Sequence, residues 1–182
     1  MAAQFTVDLE FADHAILPPG QWGLHDVEGL AVTSQLLEQL KRAKIRAHFY
    51  VLGYFAQRWP MLIRHIVADG HQLGSHGYWH GKEEQEMDLY DLDTRQFLPH
   101  CQGYRSPYWK TTPRPGWSGG VFFRTLPYRW LKWEIERSGV FWIHPHDLYN
   151  AHIGPWRRRL FFCDPWQRLD RLMREVDWDA PR

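Results

Sequence analysis

The chain has 182 residues, 44% of them hydrophobic, which suits one globular domain with its own core. Its formal net charge of +1 gives no electrostatic basis for nucleic acid as the main partner. The two cysteines, Cys101 and Cys163, offer neither metal-ligand spacing nor a disulfide framework, so both are expected as reduced thiols of a cytoplasmic protein.

Gln4 to Val7 reads as a strand, with Asp8 and Glu10 at or just past its end. No charged head or long apolar stretch of a signal peptide precedes it, and no run reaches the ~18 apolar residues of a membrane span. Phe11 to Gly23, with Pro18-Pro19-Gly20, is a loop. Asp26 to Lys44 has Leu30, Leu36, Leu37 and Leu40 at helical spacing. Ile45 to Leu52 is apolar and aromatic, a buried strand. Phe55 to Ala68 is a second helix, with Pro60 in its first turn and Gly70 placed to stop it. His71 to Ser75 is a short strand. This alternation predicts an α/β fold with parallel strands.

Gly81 to Asp93 is polar and acidic, a loop or short exposed helix. Gln102 to Arg105 is a candidate short strand, and Pro107 to Gly120 a long irregular loop. Tyr128 to Ser138 is a helix with Trp130, Leu131, Trp133 and Ile135 available for burial, the two tryptophans read as core. Val140 to Ile143 is a last strand, and Trp166 to Val176 a C-terminal helix. No repeat or low-complexity linker divides the chain, so residues 1–182 are expected as a single domain. The eleven tryptophans are unusual for this length; exposed rings of this kind stack on sugars or sit at a membrane interface. Arg157-Arg158-Arg159, beside Trp156, is a solvated face or a contact for phosphate or an anionic membrane surface.

Two imidazoles four residues apart, His76 and His80, can converge on one cation. The acidic end of the first strand supplies a third ligand, Glu10, with Asp13 and His14 as alternatives. Two histidines, one carboxylate and an open position are the ligand set of a catalytic zinc site. Asp8, Glu10, His76, His80, Arg105 and His144 all fall at predicted strand ends, where parallel α/β folds gather their active sites.

These residues carry a resemblance to the NodB-homology polysaccharide deacetylases, in particular the exopolysaccharide and O-antigen biosynthesis branch. Phe5-Thr-Val-Asp-Leu-Glu10 resembles the family's first motif, though it lacks the adjacent Asp-Asp of most relatives. His76-Gly-Tyr-Trp-His80 resembles its His-x-x-x-His motif, Gly103-Tyr-Arg-Ser-Pro-Tyr108 its Arg-x-Pro motif, and Phe141-Trp-Ile-His-Pro-His-Asp147 its final histidine motif. The resemblance implies a distorted (β/α) barrel, shortened here between 106 and 128, which leaves a gap that a second copy could cover. It implies a divalent metal, most often zinc, held by Glu10, His76 and His80. It makes Asp8 the general base, Arg105 the residue that orients it, and His144 the general acid. Tyr108, Trp109 and Trp79, within or beside motifs, are candidates for stacking on the sugar, and His146, at a position usually aromatic, for lining its pocket.

The reaction so implied is hydrolysis of an N-acetyl group from a sugar of a glycan or glycan precursor, with peripheral membrane contact where that precursor is lipid-linked. Two other readings stand beside it: an amidohydrolase acting on a formyl-sugar or cyclic ureide, and a non-catalytic sugar-binding descendant.

Overall fold

The computed structural model describes residues 2–10, 26–80, 94–109, 112–114, 116–148 and 164–179. The readings made on 11–25 (including Asp13 and His14), on 81–93, on Arg157 to Arg159 and on Cys163 lie outside the described residues.

Four parallel strands form the centre. They are β1 (Gln4–Leu9), β2 (Ala47–Val51), β3 (Gln72–Ser75) and β4 (Val140–Ile143), in the spatial order β3-β2-β1-β4. The segment after residue 101 extends the β3 edge: Ser75 bridges Tyr104, and Gln102 N–H and Arg105 N–H donate to the carbonyls of Leu73 and Ser75. The expected strand at Gln102 to Arg105 is therefore reduced to one bridge. At the other end of the chain, Trp178 bridges Ala3 and its ring packs on Phe5 and Phe141.

Strand alternation sorts the side chains. Phe5, Val7, Leu9, Phe49, Val51, Phe141 and Ile143 are essentially inaccessible and make up the apolar face. Thr6 and Asp8 point the other way, in register with His48 and Tyr50 of β2. α1 (Asp26–Ala43) buries Val32, Leu36, Leu37 and Leu40, one stripe at helical spacing, and ends on Lys41 and Arg42, which suit the negative end of the helix dipole. No helix of the described residues is long and apolar enough to cross a membrane.

The expected second helix is two. α2 (Gly53–Arg58) stops at Trp59, and α3 (Pro60–Ala68) starts at the proline. Proline has no N–H to give and disfavours helical geometry in the residue before it, so Trp59 sits at φ −126°, ψ 61° and the chain bends. A further short helix, α4 (Val121–Thr125), follows the irregular loop and buries Phe123.

α5 (Tyr128–Ser138) and α6 (Pro165–Glu175) follow. α5 buries Leu131, Glu134 and Ile135, but Trp130 and Trp133 are 67% and 58% exposed. Their expected place in the core is corrected: the buried stripe runs through 131 and 135, four residues apart, and the two tryptophans lie one neighbouring row over. In α6, Asp164 caps the N-terminus by accepting from the N–H groups of Trp166 and Gln167.

Candidate active site

Three of the four strands, β1, β3 and β4, deliver polar residues at or just past their C-terminal ends. β1 ends in Asp8 and Glu10, both 2% exposed; β3 runs into His76, 3% exposed; β4 runs into His144. These meet in a cavity of about 330 Å³ that Ser106, Tyr108, Trp109, Arg114, Trp142 and His146 also line.

Asp8 is held by Arg105, whose Nη1 lies 2.5 Å from Asp8 Oδ1 and also donates to Thr6 Oγ1 at 3.0 Å. Thr6 in turn donates to the Phe141 carbonyl. The guanidinium lies over the Tyr50 ring at 4.0 Å and the Trp109 ring at 4.8 Å. Salt bridge, hydroxyl and two ring faces leave this buried cation little freedom, which fixes the direction of the Asp8 carboxylate.

Glu10 sits among imidazoles. Its Oε2 is 2.7 Å from His80 Nε2 and 3.5 Å from His76 Nε2. His76 Nδ1 is 2.7 Å from the Arg105 carbonyl, which makes Nδ1 the donor and leaves the Nε2 lone pair facing Glu10. Burial pushes the Glu10 carboxyl up, yet the charge of His80, close contact with His76 and His80, and His144 together hold it well below the ordinary carboxylate range. Glu10 Oε2 and His80 Nδ1 are both buried with no acceptable hydrogen-bond geometry among the described residues. One atom each from Glu10, His76 and His80 lie within 4.8 Å of one another. Three donor atoms converging this closely, with Glu10 Oε2 lacking a hydrogen bond, fit a divalent cation better than they fit a network of hydrogen bonds.

His144 stands on the other side of Glu10, its Nε2 3.5 Å from Oε1. Asp147 accepts from the His144 main-chain N–H and from its Nδ1, both at 2.9 Å. Burial lowers the His144 pKa, but the Asp147 charge and hydrogen bond, then Glu10 and Asp8, raise it to about 9. The sequence left Asp147 without a task. Its signal was the i, i+3 spacing within Pro145–Leu148, a single turn that returns the carboxylate to the histidine.

The aromatic expectations divide. Tyr108 and Trp109 line the cavity, both at positive φ, with Tyr108 edge-on to His80 at 4.4 Å. His146 lines it too, stacked on His144 at 4.5 Å. Trp79 does not: it packs on Tyr54 and Tyr78. Gly77, at φ +81°, turns the chain so that His76 and His80 face Glu10 while Trp79 goes to the far side. Trp142 takes its place as a wall, edge-on to Trp109 and His144. Arg114, which sequence reasoning passed over, lies across the Trp117, Phe122 and Trp142 rings.

The floor beneath Arg105 depends on a glycine. A Cβ at Gly74 would come within 2.7 Å of His48 Nε2 and Tyr50 Cδ1 and 2.8 Å of the Gln102 carbonyl. His48 and Tyr50 stack face to face there, 4.3 Å apart. Gly74→Val is expected to cost about 1–3 kcal/mol, the range for overpacking, and to loosen Arg105. Urea unfolding and the rate measured together check this; a rate and stability unchanged from wild type would contradict it.

The chain matches the family model described as polysaccharide deacetylase over residues 25–109. It is 26% identical over 138 residues to a peptidoglycan-N-acetylglucosamine deacetylase of Bacillus cereus, covering 67% of this chain and 62% of that protein. It is 26% identical over 140 residues to the peptidoglycan-N-acetylmuramic acid deacetylase PdaA of Bacillus subtilis, covering 67% of this chain and 52% of that one. The chain thus spans between about half and three fifths of the length of these two curated relatives. The structure of the peptidoglycan deacetylase PdaC from Bacillus subtilis superposes with a TM-score of 0.60 at 16% identity, covering 98% of this chain and 86% of that one. The fold is the shortened, distorted (β/α) barrel of this class, its parallel strands presenting the site at their C-terminal ends. The sequence match over residues 25–109 and the fold shared with PdaC both point to the polysaccharide deacetylases.

Proposed function

We propose that this protein is a metal-dependent hydrolase that removes the N-acetyl group from a sugar of a glycan, with peptidoglycan-type N-acetylated sugars as the first substrates to try. The observation that carries this reading is the meeting, in one cavity, of an arginine-held carboxylate, a Glu-His-His cluster and an aspartate-held histidine. The names of the curated relatives support the substrate class.

A divalent cation on Glu10, His76 and His80, best matched by zinc, supplies Lewis-acid polarisation of the acetamide carbonyl and lowers the pKa of the attacking water. Asp8 accepts the proton of that water. Arg105 holds Asp8 in one orientation, so no side-chain search precedes the transfer. His144 gives a proton to the departing amine from Nε2, because Nδ1 is committed to Asp147. Trp109 and Trp142 form the wall against which a sugar face packs. The test is acetate release from N-acetylated muropeptides and N-acetylglucosamine oligomers by zinc-loaded protein. Zinc binding with no acetate from either set would overturn the hydrolytic reading.

The pH behaviour follows from His144. With its pKa raised to about 9, the acid is protonated through neutral pH and is lost as pH rises through that value. The same shift stabilises the fold fully below the unfolded histidine pKa and stops doing so as pH climbs past the folded one. A cation on Glu10 offsets part of that residue's contribution, so Asp147 is the main support. Asp147→Asn keeps an acceptor for Nδ1 but removes the charge, and is expected to move the alkaline limb of kcat down by about one unit or more. An unmoved limb would assign it to another group.

A further inference from the structure

Glu10 faces two histidine pairs at once. Oε2 is turned to His76 and His80, and Oε1 lies 3.5 Å from Nε2 of His144. Beside the Glu10–His76–His80 group there is a second, Glu10–His144–His146, whose donor atoms also lie within 4.8 Å of one another. His144 Nδ1 is tied to Asp147, the outer carboxylate contact that aims a ligating imidazole. His146 Nδ1 is buried and has no hydrogen-bond partner among the described residues. His146 must turn out of its parallel stack on His144 to aim a nitrogen at the same point. With that turn, Glu10, whose two oxygens face opposite donor pairs, is suited to bridge two cations in one site.

We propose that Glu10, His144 and His146 form a second divalent-cation site, sharing Glu10 with the first. This rests on the assignment of Glu10, His76 and His80 as the first site. The second fills at higher cation concentration, for two reasons. Glu10 has already given part of its charge to the first cation, and two like charges on one carboxylate repel. His144 is also the more open ligand, its side chain 17% exposed against 4% for His76 and His80. A cation on His144 Nε2 occupies the lone pair that must carry the proton for the leaving amine. Filling the second site therefore stops turnover, and the protein is inhibited by excess of the ion that activates it.

The experiment adds zinc alone to the metal-free full chain and counts bound ions by native mass spectrometry, with acetate release followed in parallel. The expected result is two zinc ions per chain, with activity rising on the first and falling on the second. His146→Phe, which keeps a ring against His144 but removes its nitrogens, is expected to hold one zinc and to lose the falling phase. Saturation of the wild type at one zinc, or a second zinc that survives in His146→Phe, would overturn the second site and leave the first intact. Binding of no zinc at all would overturn both. A measurement on the unmutated protein guards against a variant that misfolds. Two Co(II) ions bridged by Glu10 couple magnetically, so the EPR intensity per cobalt should fall between the first and second equivalents. Intensity that stays proportional to added cobalt would rule out the shared carboxylate.

Discussion

Replacing His80 with alanine is expected to empty the cation site and to slow acetate release about a thousandfold. The magnitude comes from the several kcal/mol of transition-state stabilisation a Lewis-acid cation supplies, at about 1.4 kcal/mol per factor of ten. His80 is the nearer of the two imidazoles to Glu10, at 2.7 Å, and its side chain is 4% exposed, so no water replaces it cheaply. Its loss leaves two protein ligands, Glu10 and His76, for an ion that needs at least three. It also removes the strongest charge opposing the burial of Glu10, so the carboxylate is expected to become easier to protonate. His76→Ala should behave alike. His65→Ala, on the exposed face of α3, is the control and should keep both metal and rate. Zinc content by plasma mass spectrometry, measured with the rate, decides the matter. A His80→Ala protein that retains a full equivalent of zinc would remove His80 from the ligand set.

Much of this site was legible in the sequence because parallel strands place function at their ends. Once β1, β3 and β4 were read as parallel strands, Asp8, Glu10, His76 and His144 were expected together at their C-terminal ends. Arg105 was found through its motif, and its task became visible only when Thr6, Tyr50 and Trp109 were seen around it. What the sequence did not show was direction over short distances. Trp79 sits between the paired histidines, but the positive φ of Gly77 sends it away from the cavity. Trp142 was counted only as part of a strand, although alternation puts it on the same face as Thr6, its register partner. Trp130 and Trp133 match a helical stripe as well as Leu131 and Ile135 do, and periodicity alone does not say which row meets the sheet. Asp147 is three residues from His144 on one tight turn, a relation that composition does not display.

Asp8→Asn is the change that separates the chemistry from the metal. The two side chains have the same shape, and the amide oxygen can still accept from Arg105 Nη1, so the carboxamide is expected to occupy the same place. Zinc should stay, since Asp8 is not among the three converging donors. An amide cannot take a proton from water, and the rate is expected to fall by about 10²–10⁴, the usual worth of a positioned general base. Stability should fall as well, because Arg105, 7% exposed, loses the charge that balances it and keeps only neutral partners, the amide oxygen, Thr6 and the rings of Tyr50 and Trp109. The drop in rate must therefore be measured well below the melting temperature of the variant, with bound zinc counted in the same sample. Arg105→Met supplies the complementary reading. It keeps the carboxylate but frees its orientation, so it should lose less rate than Asp8→Asn while losing comparable stability. If Asp8→Asn keeps its zinc and turns over within a few-fold of wild type, the proton goes elsewhere. If Arg105→Met proves the slower of the two, the guanidinium itself contacts the substrate.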